Sequence, residues 1–376
     1  MVSNKLKIKT ITCHNVYNFG ASLQAYALMK YLENRGYDTE IIDYRPDYLT
    51  YKLWAIGPRW DKNIFLRVIY FAYVVPRRLL MYKRRRKFDL FTASRLKLTP
   101  RVYRSIEDLR FDPPQADIFF AGSDQIWNTE SPNGKDPAFY LEFAPNCSIK
   151  ASYAASFSTS DIAQGLVKFV ASRLKRFDFI SVREDTGLKI LNKLGVEGGS
   201  VVVDPVFLLN RTEWEYLSKQ VTDGKYIFIY DQENNHLIKE SALKLSKAYN
   251  LKIYAIESLY PISYADKTFK NAGPEEFLGL IHNCEICLTN SFHCMSFSLI
   301  FNKKFYLFRR THQKVNSRMI DLLNYLNLSD HIAKESLENI NNDAIKFQEV
   351  FDLLEKRKEN SVDYIDMVIS SAEVNG

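Results

Sequence analysis

Short apolar runs alternate with longer segments of helical apolar spacing along this chain of 376 residues. In the first half, runs at 8–13, 40–44, 117–121, 151–155, 180–183 and 201–203 predict strands, and helical patterns fall at 21–36, 164–177 and 184–194. Strands separated by helices argue for a parallel sheet with right-handed crossovers. Asp204-Pro205 then ends the unit, because the residue before a proline is biased away from helix. The alternation restarts after Arg211, with strands at 226–230, 251–255, 285–289 and 305–308 and helices at 236–249, 274–282 and 317–326. Helical spacing from 343 to 369 predicts a closing helix. The expected class is α/β. A Rossmann-like domain occupies 1–205 and a second occupies 206–335, both with mostly parallel sheets, and a helical segment over 336–376 packs back on the lobes.

Residues 60–91 break this rhythm. The segment 64–75 is apolar apart from Arg67, Pro76 ends it, and Arg77, Arg78, Lys83, Arg84, Arg85, Arg86 and Lys87 follow with no acid among them. As a helix, 64–75 would reach roughly 18 Å, short of the ~30 Å hydrocarbon layer of a bilayer. It cannot span a membrane. It can lie on one, with aromatic rings in the interface and Arg77, Arg78, Arg84, Arg85, Arg86 and Lys87 on anionic headgroups. A buried helix followed by a solvated basic one explains the pattern equally well.

That block accounts for the formal net charge of +7, which leaves the rest of the chain near neutral. Nucleic-acid binding would need a broad basic face, so no such partner is expected. The start, Met-Val-Ser-Asn-Lys-Leu-Lys-Ile-Lys, lacks the apolar stretch and cleavage site of a secretory signal. The 5 cysteines are odd in number and scattered, which suits a reducing compartment. A cytoplasmic protein is expected, with peripheral contact at the inner face of the membrane where the insertion meets it.

The densest candidate chemistry lies in Glu285-Ile-Cys-Leu-Thr-Asn-Ser-Phe-His293, which reads as a buried strand, a polar turn and the start of an apolar helix. In open parallel sheets ligands bind at that edge, and a new helix offers free N–H groups and a positive dipole end to an anion. His293 there can exchange protons near neutral pH, with Asn290 and Ser291 beside it; His14 at the end of the first strand is the weaker histidine. Asn18, Gly20, Ser22 and Gln24 open the first predicted helix, where one glycine is a weak phosphate-loop signal and a capped helix is the plainer reading. Ser123, Asp124 and Trp127 sit in a glycine turn after the strand at 117–121 and can serve either a sugar or the turn itself. Arg183 ends another strand and can grip a carboxylate or phosphate bidentately; pairing with Asp204 or Glu184 is the structural alternative. Cys284, Cys287 and Cys294 with His282 and His293 do not make a zinc site, because strand alternation turns Cys284 and Cys287 to opposite faces. No metal is expected.

Together, Asn18-Phe-Gly-Ala-Ser-Leu-Gln24, Gly122-Ser-Asp-Gln-Ile-Trp-Asn128, Tyr153-Ala-Ala-Ser-Phe157, Ser181-Val-Arg-Glu184, Asp204-Pro205 and Thr289-Asn-Ser-Phe-His293 resemble the motifs of the polysaccharide pyruvyl transferase family, in the family's order. The resemblance implies a fold similar to the two-lobed GT-B glycosyltransferases. It implies transfer of an enolpyruvyl unit from phosphoenolpyruvate, a co-substrate with no separate cofactor, to a sugar hydroxyl pair as a cyclic ketal. The acceptor would be a lipid-linked oligosaccharide of a polysaccharide pathway. By motif match His293 is the catalytic histidine and Arg183 a donor arginine; some members carry a further arginine where this chain has Ser291. Lys303, Lys304, Arg309, Arg310 or Arg318 could replace it, with Lys304 and Arg310 favoured. Donor contacts are thus expected from Arg183, Asn290, Ser291, Lys304 and Arg310, and acceptor contacts from Asn18, Gly20, Ser22, Gln24, Ser123, Asp124 and Trp127, with Asp124 also a candidate base. A nucleotide-sugar glycosyltransferase of the same fold and a non-catalytic carbohydrate-binding protein are the rival functions.

Overall fold

A computed structural model of the chain describes residues 5–49, 63–74, 81–257, 262–311, 316–338 and 345–375. Two parallel sheets form two lobes. The first contains β1 (Lys7–Ile11), β2 (Asp38–Tyr44), β3 (Leu98–Tyr103), β4 (Ile118–Ala121) and β5 (Ile149–Ser152) in the order β3-β2-β1-β4-β5. β6 (Ser181–Val182) and β7 (Ser200–Val201) pair separately beside it. The second sheet contains β8 (Tyr226–Tyr230), β9 (Lys252–Ala255), β10 (Lys267–Thr268), β11 (Ile286–Thr289), β12 (Lys304–Phe308) and β13 (Ile332–Ala333) in the order β10-β9-β8-β11-β12-β13. Strands such as Ile-Phe-Phe-Ala in β4 and Tyr-Ile-Phe-Ile-Tyr in β8 are buried at every position, as a parallel sheet covered on both faces requires. This is the GT-B-like architecture, two Rossmann-like lobes and a C-terminal helix.

Several helices matter for the site. They are α1 (Phe19–Asn34), α2 (Ile64–Ile69), α3 (Tyr82–Arg95), α4 (Ile106–Phe111), α5 (Val167–Leu174), α6 (Asp185–Lys193), α7 (Arg211–Leu217), α8 (His236–Tyr249), α9 (Pro274–His282), α10 (Phe292–Ile300), α11 (Ser317–Tyr325) and α12 (Phe347–Asn375). Asn18 starts α1 by accepting the Ala21 N–H at 3.2 Å, which satisfies an orphan donor of the first turn. One apolar core runs through both lobes, from Ile8, Leu23 and Phe120 to Tyr226, Phe277 and Phe297. At the joint, Phe19 of α1 stacks on Phe277 of α9 with centroids 4.4 Å apart and meets Tyr230 edge-on at 5.6 Å. Such pairs add about 0.5–1.5 kcal/mol each beyond area burial.

The closing helix α12 returns to the first lobe. Ser361 Oγ accepts the Val203 N–H at 2.9 Å, and Tyr364 Oη donates to the Ser152 carbonyl at 2.8 Å. Arg357 reaches Asp185 at 3.1 Å, and Arg35, just after α1, pairs with Asp366. The predicted helix at 343–369 therefore starts later, at Phe347 among the described residues, and runs further.

Besides β10, β13, α4 and α7, which no predicted segment covers, three features differ from the sequence expectation. The strands expected at 180–183 and 201–203 do not extend the first sheet; they form the small β6–β7 pair, tied to it by single bridges from Ala151 to Phe179 and Ala155 to Val182. β3 was not foreseen, because Pro100 and alternating polar residues mask it; a proline is tolerated at the sheet edge, which is where β3 lies.

The third correction concerns the basic insertion. Arg77 and Arg78 lie outside the described residues. Arg84 and Arg85 are buried rather than turned to a membrane: Arg84 Nη1 donates to the Glu257 carbonyl at 2.7 Å and its guanidinium sits 4.9 Å from the Phe19 ring centroid, while Arg85 lies 5.5 Å from that of Tyr17. Lys87 pairs with Glu276 of the second lobe. Arg86 remains exposed. Helix α3 is thus a strut between lobes, held by cation–π and hydrogen-bond contacts. Arg84→Ser should lower stability by about 1–3 kcal/mol, whereas Arg86→Ser should change it by less than about 0.5 kcal/mol; denaturant unfolding of the two variants measures the difference.

Candidate active site

The C-terminal edges of both sheets face each other at the lobe joint. In the second lobe β11 ends at Thr289, whose hydroxyl donates to the Tyr230 carbonyl at 2.7 Å and accepts the Ser291 N–H at 3.1 Å. Asn290 accepts the Gln232 N–H at 2.9 Å and donates to Asp231 at 2.7 Å. These bonds cross-link the turns after β8 and β11 and fix the start of α10, which delivers Phe292 and His293. In the first lobe, β6 runs into Arg183 and Glu184, and Asp204 stands just beyond β7.

Asp204 joins these parts. Its Oδ1 accepts the Val206 N–H at 3.1 Å, which anchors the carboxylate to the backbone. Its Oδ2 accepts from Arg183 Nη1 at 2.5 Å and lies 3.4 Å from Ser123 Oγ and 3.5 Å from His293 Nε2. Burial alone would raise the Asp204 pKa, but His293 and Arg183 outweigh it and hold the carboxyl well below the usual range. Burial likewise opposes the charge on Arg183, and the acids around it, Asp204 first, more than restore it.

The cluster is incompletely satisfied. His293 Nε2, Arg183 Nε and Nη2, Glu184 Oε2 and Arg318 Nε are all buried without a hydrogen-bond partner among the described residues. Arg183 Nε and Glu184 Oε2 are 3.9 Å apart, beyond hydrogen-bond reach. Such atoms are rare in folded proteins, because each costs about 1–3 kcal/mol. Of the eleven such atoms among the described residues, five belong to this one cluster. Arg183 Nε and Nη2 form one edge of the guanidinium, the fork that binds a carboxylate bidentately.

Phe292 adjoins two cations, with the Arg183 and Arg318 guanidinium carbons 4.6 and 5.5 Å from its ring centroid. Arg318 belongs to α11 of the second lobe, yet it reaches the turn after β4. With its amide oxygen turned inward, Gln125 accepts from Nη1 and Nη2 of Arg318 at 2.9 Å each, and Asp124 Oδ1 lies 4.0 Å from Nη1. Burial and then the neighbouring Arg183 lower the Arg318 pKa to about 10. Glu184 Oε1 accepts from Ser156 Oγ at 2.8 Å and the Ser158 N–H at 3.1 Å, and burial raises its pKa.

Gly20 explains a different constraint. A Cβ at this position would stand 1.9 Å from His293 Nδ1, so the start of α1 is the floor on which the imidazole rests. No larger residue fits there.

A family model described as polysaccharide pyruvyl transferase matches residues 18–312, most of the chain. The chain belongs to the polysaccharide pyruvyl transferase family. It is therefore an enzyme that transfers a pyruvyl group from phosphoenolpyruvate to a sugar hydroxyl. Among curated proteins, no sequence matches it significantly. Among solved structures, it is similar in fold to the S. aureus MnaA–UDP co-structure, at 12% identity and TM-score 0.50, over 93% of this chain and 87% of that one. Arabidopsis thaliana UGT89C1 has TM-score 0.49 at 10% identity, over 98% of this chain and 100% of that one.

The residues singled out in this pyruvyl transferase sequence divide. His293, Arg183 and Asp124 come together around Asp204 and Phe292, and Gly20 joins them from below. Ser291 borders His293 as the residue preceding α10. Others are engaged elsewhere. Trp127 is a core residue, donating to the Phe139 carbonyl at 3.1 Å and packed on Phe157, so it offers no face to a sugar. Gln24 is buried and donates to Thr12 Oγ1 and the Ala21 carbonyl; Ser22 and Ser123 are buried too, the latter donating to the Ala154 carbonyl. Asn18 serves as the cap of α1, and His14 is bound to Asp43 at 3.1 Å. Lys304 begins β12 opposite Ile286, at the sheet end remote from the His293 turn. Arg310 is at the right end but pairs with Glu233 at 3.2 Å. Cys287 and Cys294 approach to 3.4 Å between sulfurs in the core. Asp204, Glu184, Gln125 and Phe292 were not read as functional, although Asp204 follows a strand and precedes a proline, the one available signal.

Gly20→Ala should displace the imidazole and reduce turnover by about a hundredfold, as a misplacement near 1 Å does, while overpacking costs only about 1–3 kcal/mol of stability. Steady-state rates beside thermal unfolding of the variant check both parts.

Proposed function

We propose that this pyruvyl transferase binds phosphoenolpyruvate against the unpartnered edge of Arg183 and uses His293 as its proton donor. The clustering of orphaned buried donors on Arg183, His293 and Arg318 carries this reading, because a dianion there would accept from them. The Nε–Nη2 edge of Arg183 takes the donor carboxylate in a fork. His293 Nε2, 3.5 Å from Asp204 Oδ2, gives a proton to the methylene carbon and leaves a cationic C2. A sugar hydroxyl attacks C2 and loses its proton, the C2–O bond to phosphate breaks to free phosphate and leave an oxocarbenium at C2, and a second hydroxyl adds to C2 and gives its proton to the departing phosphate, which closes the ketal. Glu184, raised by burial, is the group able to take up a proton as the anion enters. Asp124, half-buried at the outer side of the site, is placed to receive the hydroxyl proton of the acceptor.

His293→Gln should lower phosphate release from phosphoenolpyruvate by about 10²–10⁴-fold, the usual worth of one general acid. The assay is phosphate release with a panel of sugar acceptors, and near-normal release by a folded variant contradicts the role. Nucleotide release from a nucleotide sugar, with no use of phosphoenolpyruvate, would mark a glycosyltransferase instead.

We further propose a cytoplasmic enzyme whose acceptor is lipid-linked and reached at the membrane surface. No described helix is long and apolar enough to cross a bilayer. Support for surface contact comes from Ile64, Phe65, Val68 and Phe71, which are 74%, 70%, 60% and 46% exposed on α2 and the turn that extends it. Burying such side chains in an interface is favourable by roughly 1.5–3 kcal/mol each. Replacing these four by Ser should abolish flotation with anionic vesicles; flotation unchanged at physiological salt would exclude the contact.

A further inference from the structure

We infer that Arg318 is the phosphate-binding cation of the donor site, supplied by the lobe opposite Arg183. This deepens the proposed function and rests on it. The matched family span ends at residue 312, before Arg318.

Helix α11 is docked so as to deliver this side chain. Ser317 Oγ donates to the Ser158 carbonyl at 3.2 Å, and Asp321 accepts from both the N–H and the hydroxyl of Thr186 at 3.0 and 2.7 Å. Positions 317, 318 and 321 share one helix face, and all of them touch the first lobe. Thr186 lies three residues beyond Arg183, so the latch that holds α11 also fixes the spacing between the two guanidiniums.

The state of Arg318 without a ligand is costly. It is buried, its Nε has no hydrogen-bond partner among the described residues, and the neighbouring Arg183 repels it. Structural arginines are normally saturated by acids; this one rests on a neutral amide, with Asp124 only at 4.0 Å. A second anionic group between the cations would relieve all of these costs. Phosphoenolpyruvate carries a carboxylate and a phosphate on one carbon, which matches two guanidiniums that adjoin one ring.

The assignment of ends follows from exit. Phosphate is the leaving group and must depart, so it belongs on the solvent side. Arg183 is the deeper cation, with a side chain 1% exposed, whereas Arg318 adjoins the half-buried Asp124 and Gln125. Arg318 therefore holds the phosphate, and Arg183 the carboxylate that remains with the product.

Arg318→Met separates a ligand-binding role from a structural one. Titration calorimetry with phosphoenolpyruvate and with inorganic phosphate, beside ligand-free thermal unfolding, reads both. Expected are phosphoenolpyruvate binding weakened at least tenfold, loss of inorganic phosphate binding, and a ligand-free Tm equal to or above that of the wild type. Phosphoenolpyruvate affinity within threefold of wild type overturns the assignment. A marked fall in the ligand-free Tm overturns it too, by giving Arg318 to lobe docking. Wild-type protein that binds neither probe overturns the proposed function itself, and this inference with it.

Discussion

The carboxylate of Asp204 is the fixed point around which both lobes are arranged. It leaves the first lobe just after β7, is pinned through Oδ1 to the Val206 N–H, and presents Oδ2 to Arg183 and His293. Those two groups come from different sheets and are separated by more than a hundred residues of chain. Removing one partner from such a buried pair costs about 3–5 kcal/mol, since the other charge is stranded. The same low-dielectric surroundings strengthen every charge placed there. Stability and reactivity thus depend on one anion in the same place.

A site of this kind demands a rigid joint between lobes. The continuous apolar core, the Phe19–Phe277 stack, the Arg84 strut and the return of α12 to Ser152 and Val203 supply it. Gly20 shows how tight the joint is. Its missing side chain is the space that the imidazole occupies, so α1 of one lobe sets the position of His293 in the other. Catalysis by positioned groups requires such support, because small displacements are expensive.

The βαβ rhythm, the two sheets and the closing helix were legible because parallel strands are apolar at every position and helices are not. Tyr226–Tyr230 and Pro274–His282 fall where the pattern placed them. The edge strand β3 was hidden by Pro100, since pattern reading penalises proline without knowing which strand lies at an edge. His293 and Arg183 could be placed at strand ends, and therefore at a common edge. The pairing of Arg183 with Asp204 was open to sequence reading as the structural alternative and is present, but its extension to His293 was not, because that needs two distant segments to meet. Burial also escaped the reading: Arg84, Arg85, Gln24 and Trp127 look like surface or ligand groups by residue type and turn out to be packed and internally bonded.

The central claim is that one anion site joins Arg183 and His293 across Asp204. A crystal structure with phosphoenolpyruvate bound tests it most directly. The donor carboxylate is expected at about 2.7–3.2 Å from Arg183 Nε and Nη2, with the methylene carbon facing His293 Nε2 and Asp204 still in place. Donor density elsewhere on the molecule, or an imidazole turned away from it, would contradict the account.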